Sequence, residues 1–375
     1  MRTIRLRITL RDVAPSVVRV VDVPAAGTLA ELHHVFQAAL GWTDSHLHQF
    51  VTDGATYGVP DEDGPEGVLD ESGVRLRDLP GSLAYLYDLG DRWEHEVRVL
   101  GAGRDEAGCL YGEGTCPPED CGGPPGYAHL LAVLADPAHE DHDEMGRWAG
   151  EHPDFDQART DRHVRQAVGE VPASVRLVLD LAAGGVKLTP GGRLPRALVR
   201  QVQEQRPHWY PLDRPASVEE DLLPLAVLHD LMRSVGLLRL AKGVLTPTRA
   251  AADDVEVVRR LRSWFVPGAF LGAVAELVVA ELAARGPQHG DSLARQVHSL
   301  LGRGWFRGAE PVTDEDLLLA VAQMAAVMQG LDLIEVDEPV WRPGPSVLSL
   351  LPRATLLARV LGPRTDADQA RLLTR

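Results

Sequence analysis

IRLRITLRDVAPSVVRVVDVPAAGTLAELHHVFQAAL, residues 4–40, is the stretch that decides the fold of this chain. Ile4, Leu6, Ile8 and Leu10 alternate with Arg5, Arg7, Thr9 and Arg11, a period of two that predicts a half-buried strand. DVAPS reads as a turn and VVRVVDV, residues 17–23, as the returning strand. Thr28 precedes LAELHHVFQAAL and has Glu31 three residues on, the spacing of a capping box. Leu29, Leu32, Val35, Phe36 and Leu40 form one apolar helical face, and Gly41 stands where a helix often stops. A hairpin followed by a helix opens a β-grasp-like α+β domain, a mixed sheet with packed helices.

Working outward, HLHQFVT (46–52) predicts a further strand, with a loop rich in Asp and Gly after it. SLAYLYD (82–88) and WEHEVRV (93–99) flank Leu89–Arg92, which reads as a hairpin turn with Gly90 supplying a positive φ. The loop CPPEDCGGPPG (116–126) follows, then helices that close the domain near residue 170. Residues 171–375 are richer in Leu, Ala and Val at helical spacing. Three segments there echo one another, beginning VRLVLDLAAGG, LAVLHDLMRSVG and AAVMQGLDL. Each reads as helix, short strand, turn and second strand. This predicts a mainly α region with winged-helix-like units; an all-helical bundle is the alternative.

The bulk properties exclude several classes. The net charge is −16 and is uneven: residues 1–160 carry about −17. That opposes generic binding of a phosphate backbone by the first domain. The chain lacks an apolar run long enough to span a membrane, and its start lacks the apolar core of a secretory signal. Three cysteines cannot build a disulfide framework, so a cytoplasmic location is expected. A phosphate-loop motif and a Gly-x-Ser-x-Gly elbow are both missing, and GGPPG is too rich in proline for a dinucleotide fingerprint.

The residues that carry chemistry cluster in the first domain. On one strand, His46, His48 and Phe50 would project together, giving two imidazoles to a metal or an anion. Tyr87, Trp93 and His95 lie on facing strands, with Asp88 and Asp91 bracketing their turn. A carboxylate beside His95 would fix its tautomer or raise its pKa. In the loop, Pro117, Pro118, Pro124 and Pro125 fix φ, which suits a rigid pocket wall carrying Glu119 and Asp120. Cys116 and Cys121 with His95 make a candidate zinc set; buried small side chains or a redox pair are the alternatives. His139, His142, Asp143 and Glu144 read as a solvated acidic helix.

Three stretches, LAELHHVFQAALGWTDSHLHQF, YLYDLGDRWEHEV and GTCPPEDCGGPPGYAHLLAVLADP, resemble the plasmid-Ri ORF-three-like family, also labelled the TnpR family, over about residues 1–165. The resemblance implies an α+β domain of unknown function from a mobile-element setting, with the cysteine loop after an aromatic hairpin. The TnpR label points to a resolvase, but a serine recombinase needs a nucleophilic serine among its arginines, and Arg5 and Arg7 alternate on a strand without one.

Three functions follow as expectations. The first is a binding protein with a ligand or metal site at His46, His48, Tyr87, Asp88, Asp91, Trp93, His95, Glu119 and Asp120. Its C-terminal half would contact protein or DNA through Arg193, Arg196 and Arg200 or through RAAADDVEVVRRLRSW (249–264). The second is a metal-dependent hydrolase or nuclease using the same acids and imidazoles. The third is an interaction protein whose acidic domain meets a basic partner.

Overall fold

Strand β1 (Thr3–Leu10) pairs antiparallel with β2 (Val17–Pro24) in unbroken register. Leu6, Ile8 and Leu10 point into the core, as their alternation predicts. Helix α1 (Leu29–Leu40) starts at a complete capping box: Thr28 Oγ1 accepts from Glu31 N, and Glu31 Oε2 accepts from Thr28 N. Its Leu29, Leu32 and Phe36 are fully buried. The computed structural model describes residues 2–60, 67–150, 154–210, 212, 214–266, 269–301, 305–307 and 310–361. By contacts the chain divides into Met1–Val168 and Gly169–Arg375.

The first unit continues with β3 (His48–Val51), β4 (Thr56–Gly58), β5 (Val68–Asp70), β6 (Ser82–Tyr87), β7 (Trp93–Ala102), β8 (Gly108–Glu113), α2 (Gly123–Ala135), α3 (His142–Ala149) and α4 (Gln157–Val168). The strands form one 8-stranded sheet in the order β5-β4-β3-β6-β7-β1-β2-β8. β4 and β5 run parallel and the other neighbours antiparallel, so the sheet is mixed. Helices α1 and α4 pack together. Phe36, Phe50, Tyr85, Tyr87 and Trp93 are buried in the core.

Two buried charges brace this unit. The Arg19 guanidinium donates to the carbonyls of Ala39, Val18, Glu113 and Gly114 and lies 4.6 Å from the Phe155 ring centroid. It thereby ties β2, the end of β8 and the end of α1. Asp22 is fully buried and accepts from Arg5 Nε at 2.9 Å, Arg5 Nη2 at 3.0 Å and Arg104 N at 3.0 Å. Burial pushes its carboxyl up, but the bonds from Arg5 and Arg104 outweigh that and hold it below the usual value. The stabilisation is therefore present above the ordinary Asp pKa and is lost as pH falls through the depressed folded value. Asp22→Asn is expected to cost about 1–3 kcal/mol at neutral pH. The loss should shrink towards low pH, and urea titrations across that range check it.

The second unit contains α5 (Ala173–Ala182), β9 (Val186–Lys187), α6 (Arg196–Gln205), α7 (Leu223–Ser234), β10 (Leu238–Ala241), β11 (Val244–Pro247) and α8 (Asp254–Arg262). It goes on with α9 (Phe270–Arg285), β12 (Gln288–His289), α10 (Gly290–Leu301), β13 (Phe306–Arg307), β14 (Glu310–Pro311), α11 (Asp314–Gly330), β15 (Ile334–Asp337), β16 (Val340–Pro343) and α12 (Pro352–Val360). The region is mostly helical. Its small sheets are ordered β10-β11-β9 and β12-β16-β15.

The two halves of this unit repeat one pattern. Helix, strand, two helices and a hairpin recur, with the first short strand on the last strand of the hairpin. The β13–β14 hairpin interrupts only the second copy. Leu238↔Pro247 and Arg239↔Thr246 in one copy match Ile334↔Pro343 and Glu335↔Arg342 in the other. Leu237 N bonds Met232 O and Leu333 N bonds Met328 O, both at 2.8 Å. Gly236 and Asp332 take positive φ at the same point. Helices α7 and α11 pack on each other.

The arginines expected to face phosphates are engaged within the unit. Arg193 pairs with Glu219 and Glu220, Arg196 bonds Ser217 O, and Arg200 bonds Ala216 O. Arg259 and Arg260 pair with Glu256. Among the described residues, no helix is long and apolar enough to cross a membrane.

Candidate functional site

Three elements deliver the site: the segment between α1 and β3, the β6–β7 turn, and the loop between β8 and α2. His46 Nε2 lies 3.6 Å from Asp88 Oδ2 and 3.2 Å from Asp120 Oδ1. This nitrogen is buried and makes no hydrogen bond. The three residues offer ligand atoms that all lie within 4.8 Å of one another. They come from three separate parts of the chain, so only the fold brings them together.

Asp88 and the segment before His46 are held by their neighbours. Asp88 Oδ1 accepts from Gly90 N at 2.9 Å and Asp91 N at 3.2 Å, which leaves Oδ2 directed at His46. Asp91 Oδ2 accepts from Gly122 N at 3.0 Å and so pins the cysteine loop to the turn. Glu119 accepts from Thr43 N, Thr43 Oγ1 and Tyr87 OH. Three successive backbone N–H groups before His46 are fixed by side chains: Thr43 by Glu119, Asp44 by Gln37 and Ser45 by Tyr87. Burial pushes the Glu119 carboxyl up, opposed by its hydrogen bonds from Thr43 and Tyr87. Burial, aided by Glu119, raises the Tyr87 hydroxyl.

The backbone is unusual here. Asp44, Asp88 and Asp120 have φ of 57°, 56° and 60°, values that non-glycine residues rarely adopt and that concentrate at functional sites. The turn is built differently from its expected form: Asp88 and Arg92 carry the positive φ instead of Gly90. The Asp88 side chain closes its own turn on Gly90 N, and Asp tolerates this conformation for that reason.

His46 and His48 do not share a face, because the strand begins only at His48. His48 Nε2 instead meets Glu71 Oε2 at 2.9 Å, and its ring stacks on His33 at 3.5 Å and 6°. His33 Nε2 is 2.7 Å from Asp44 Oδ1 and its Nδ1 is 2.8 Å from Tyr85 OH. Tyr85 OH also accepts from Gln37 Nε2. Its own proton then goes to His33 Nδ1, and His33 donates through Nε2 to Asp44. Burial lowers the His33 pKa against the pull of Asp44. His33, Asp44 and His48 are also close enough to share an ion. Ring lone pairs lie in the ring plane, however, and two parallel stacked rings do not converge on one ion. This second cluster is a polar core with its hydrogen bonds satisfied.

The remaining sequence candidates lie deeper. Trp93 and His95 are fully buried. The His95 ring bonds Tyr85 O at 3.1 Å and has no carboxylate paired with it among the described residues, and burial lowers its pKa to about 4. Cys116, Cys121 and His95 do not gather as one ligand set among the described residues. All three cysteines are free thiols, and burial raises Cys121 to about 12 and Cys109 to about 11. His33, Gln37, Thr43 and Glu71 were not anticipated. The visible signal for the first two was a histidine and a glutamine set within the apolar stripe of α1.

The family model for the plasmid pRiA4b ORF-3-like protein matches residues 2–164. A curated relative, the uncharacterized protein y4hQ of Sinorhizobium fredii (strain NBRC 101917 / NGR234), is 41% identical over 180 residues, covering 92% of that protein and 45% of this chain. The chain therefore belongs to the plasmid pRiA4b ORF-3-like family, whose curated member here has no assigned function. A crystal structure of MM3350, a protein of unknown function from Methanosarcina mazei Go1, is also similar. It has 27% identity and a TM-score of 0.38, covering 42% of this chain and 96% of that one.

Proposed function

We propose that the N-terminal unit is a binding module for a first-row divalent cation, zinc in the first instance, held by His46, Asp88 and Asp120. One observation carries this: a buried imidazole nitrogen without a hydrogen bond faces two carboxylate oxygens on two separate loops. One imidazole and two carboxylates form a donor set that suits zinc, manganese or iron. Asp91, Tyr87 and Glu119 orient the ligands, the role of outer partners in metal sites. Three protein ligands leave a coordination position open to water. That supports metal-assisted hydrolysis as the second reading.

The C-terminal region carries the contacts to a partner. Its repeated pattern supports two winged-helix-like units, and a cytoplasmic setting agrees with three free thiols. Calorimetric titration of the full chain with zinc tests the cation reading. His46→Ala should weaken binding by roughly 100-fold or more, while His48→Ala should leave it near wild type. Binding unchanged by His46→Ala would take the ion away from His46, and no heat in wild type would end the proposal.

A further inference from the structure

The first half of the C-terminal unit holds a cleft of about 510 Å³ between the end of α7 and strand β10. It is lined by Asp230, Arg233, Ser234, Leu238, Arg239 and Leu240. Arg233 and Arg239 are exposed, as is Lys242 at the tip of the same hairpin. None of these three cations has a hydrogen-bond or ion-pair partner among the described residues. Several other arginines of the region are instead held by acids. Arg176, Arg193, Arg206, Arg259 and Arg260 are all paired with carboxylates.

The internal repeat provides a control. The matching hairpin registers place Glu335 where β10 has Arg239 and Ile334 where it has Leu238. Along the preceding helices, Gln329 and Gly330 match Arg233 and Ser234, and Ala326 matches Asp230. The hairpin tip, basic through Lys242 in the first copy, carries Glu338 in the second. The same fold is therefore built without the cations, so packing does not require them. Two cations, Arg233 and Arg239, line the cleft against one acid, Asp230, and this balance favours an anion. A guanidinium presents several donors in a planar fork that matches phosphate oxygens, and two converging on one cleft give such a group specific binding.

We infer that the α7–β10 cleft of the first repeat binds a phosphate group, through Arg233 and Arg239 with Lys242 beside them. This deepens the contact role proposed for the C-terminal region and rests on it. The phosphate has two sources, a small phosphorylated molecule or a nucleic-acid backbone.

The test uses the full chain and two probes, inorganic phosphate followed by phosphorus NMR and a short fluorescein-labelled DNA duplex followed by anisotropy. The variant Arg233→Gln with Arg239→Glu installs what the second repeat already tolerates, and circular dichroism confirms its fold. Binding of inorganic phosphate lost in the variant supports a small phosphorylated ligand. Binding of the duplex alone supports the backbone, with affinity down at least about tenfold and the salt slope lower by about 2 in the variant. Binding unchanged by the variant overturns the cleft but leaves a contact role elsewhere in the region. Binding of neither probe overturns the phosphate inference and leaves that contact role to a protein.

Discussion

Arg19→Leu is expected to destabilise the N-terminal unit by about 3–5 kcal/mol, because each buried carbonyl left without a donor costs about 1–3 kcal/mol. Arg19 is 3% exposed and serves four carbonyls from three places in the fold. It has no carboxylate partner among these bonds, so leucine would leave buried acceptors without donors. Such orphaned groups cost far more than the net worth of each bond. Stacking on Phe155 would be lost as well. Arg19→Lys should recover only part of the loss, because an ammonium cannot spread its donors over four carbonyls. Hydrogen exchange by mass spectrometry localises the effect: β2, β8 and the end of α1 should lose protection together. A change below about 0.5 kcal/mol, the level of an ordinary surface substitution, would show that the four bonds do not brace the unit.

The second large effect is on binding. Gly126→Ala should lower cation affinity by about 10–100-fold, as loss of ligand placement does in metal sites. A Cβ at Gly126 would stand 1.8 Å from Cys121 O, and one at Gly123 would stand 2.5 Å from Asp91 O. The loop closes on itself and against the turn with no room for a side chain. Making room means moving the backbone that carries Asp120. Gly54→Ala is the matched control, because a Cβ there meets nothing within 4 Å. Titration of both variants with zinc checks this. Equal affinities would mean that the tight loop does not position the ligand.

Much of this architecture was legible in residues 4–40. Alternation placed β1 and β2, and Thr28, Glu31 and Gly41 marked the ends of α1, because strand period and capping are local properties. The helix–hairpin pattern was visible in two of the three similar segments because it is local; the first segment instead folds as α5, the short strand β9 and α6, with β9 pairing on β11 of the next segment. The candidate site was legible as a set of residues but not as a geometry. His46 and His48 are two apart, yet a left-handed residue at Asp44 and a strand that starts at His48 send them to different partners. Asp120 and His46 are far apart in sequence, and only the sheet order brings their loops together. His33 stayed hidden because a histidine on a helix reads as surface until its neighbours Leu29, Leu32 and Phe36 are known to be buried.

In the proposed site one imidazole and two carboxylates, without a thiolate, hold the ion. X-ray absorption at the zinc edge of the zinc-loaded full chain measures this. A first shell of nitrogen and oxygen at about 2.0–2.2 Å with imidazole scattering is expected, abolished in His46→Ala. Sulfur at about 2.3 Å, or zinc that washes away on dialysis, would contradict it.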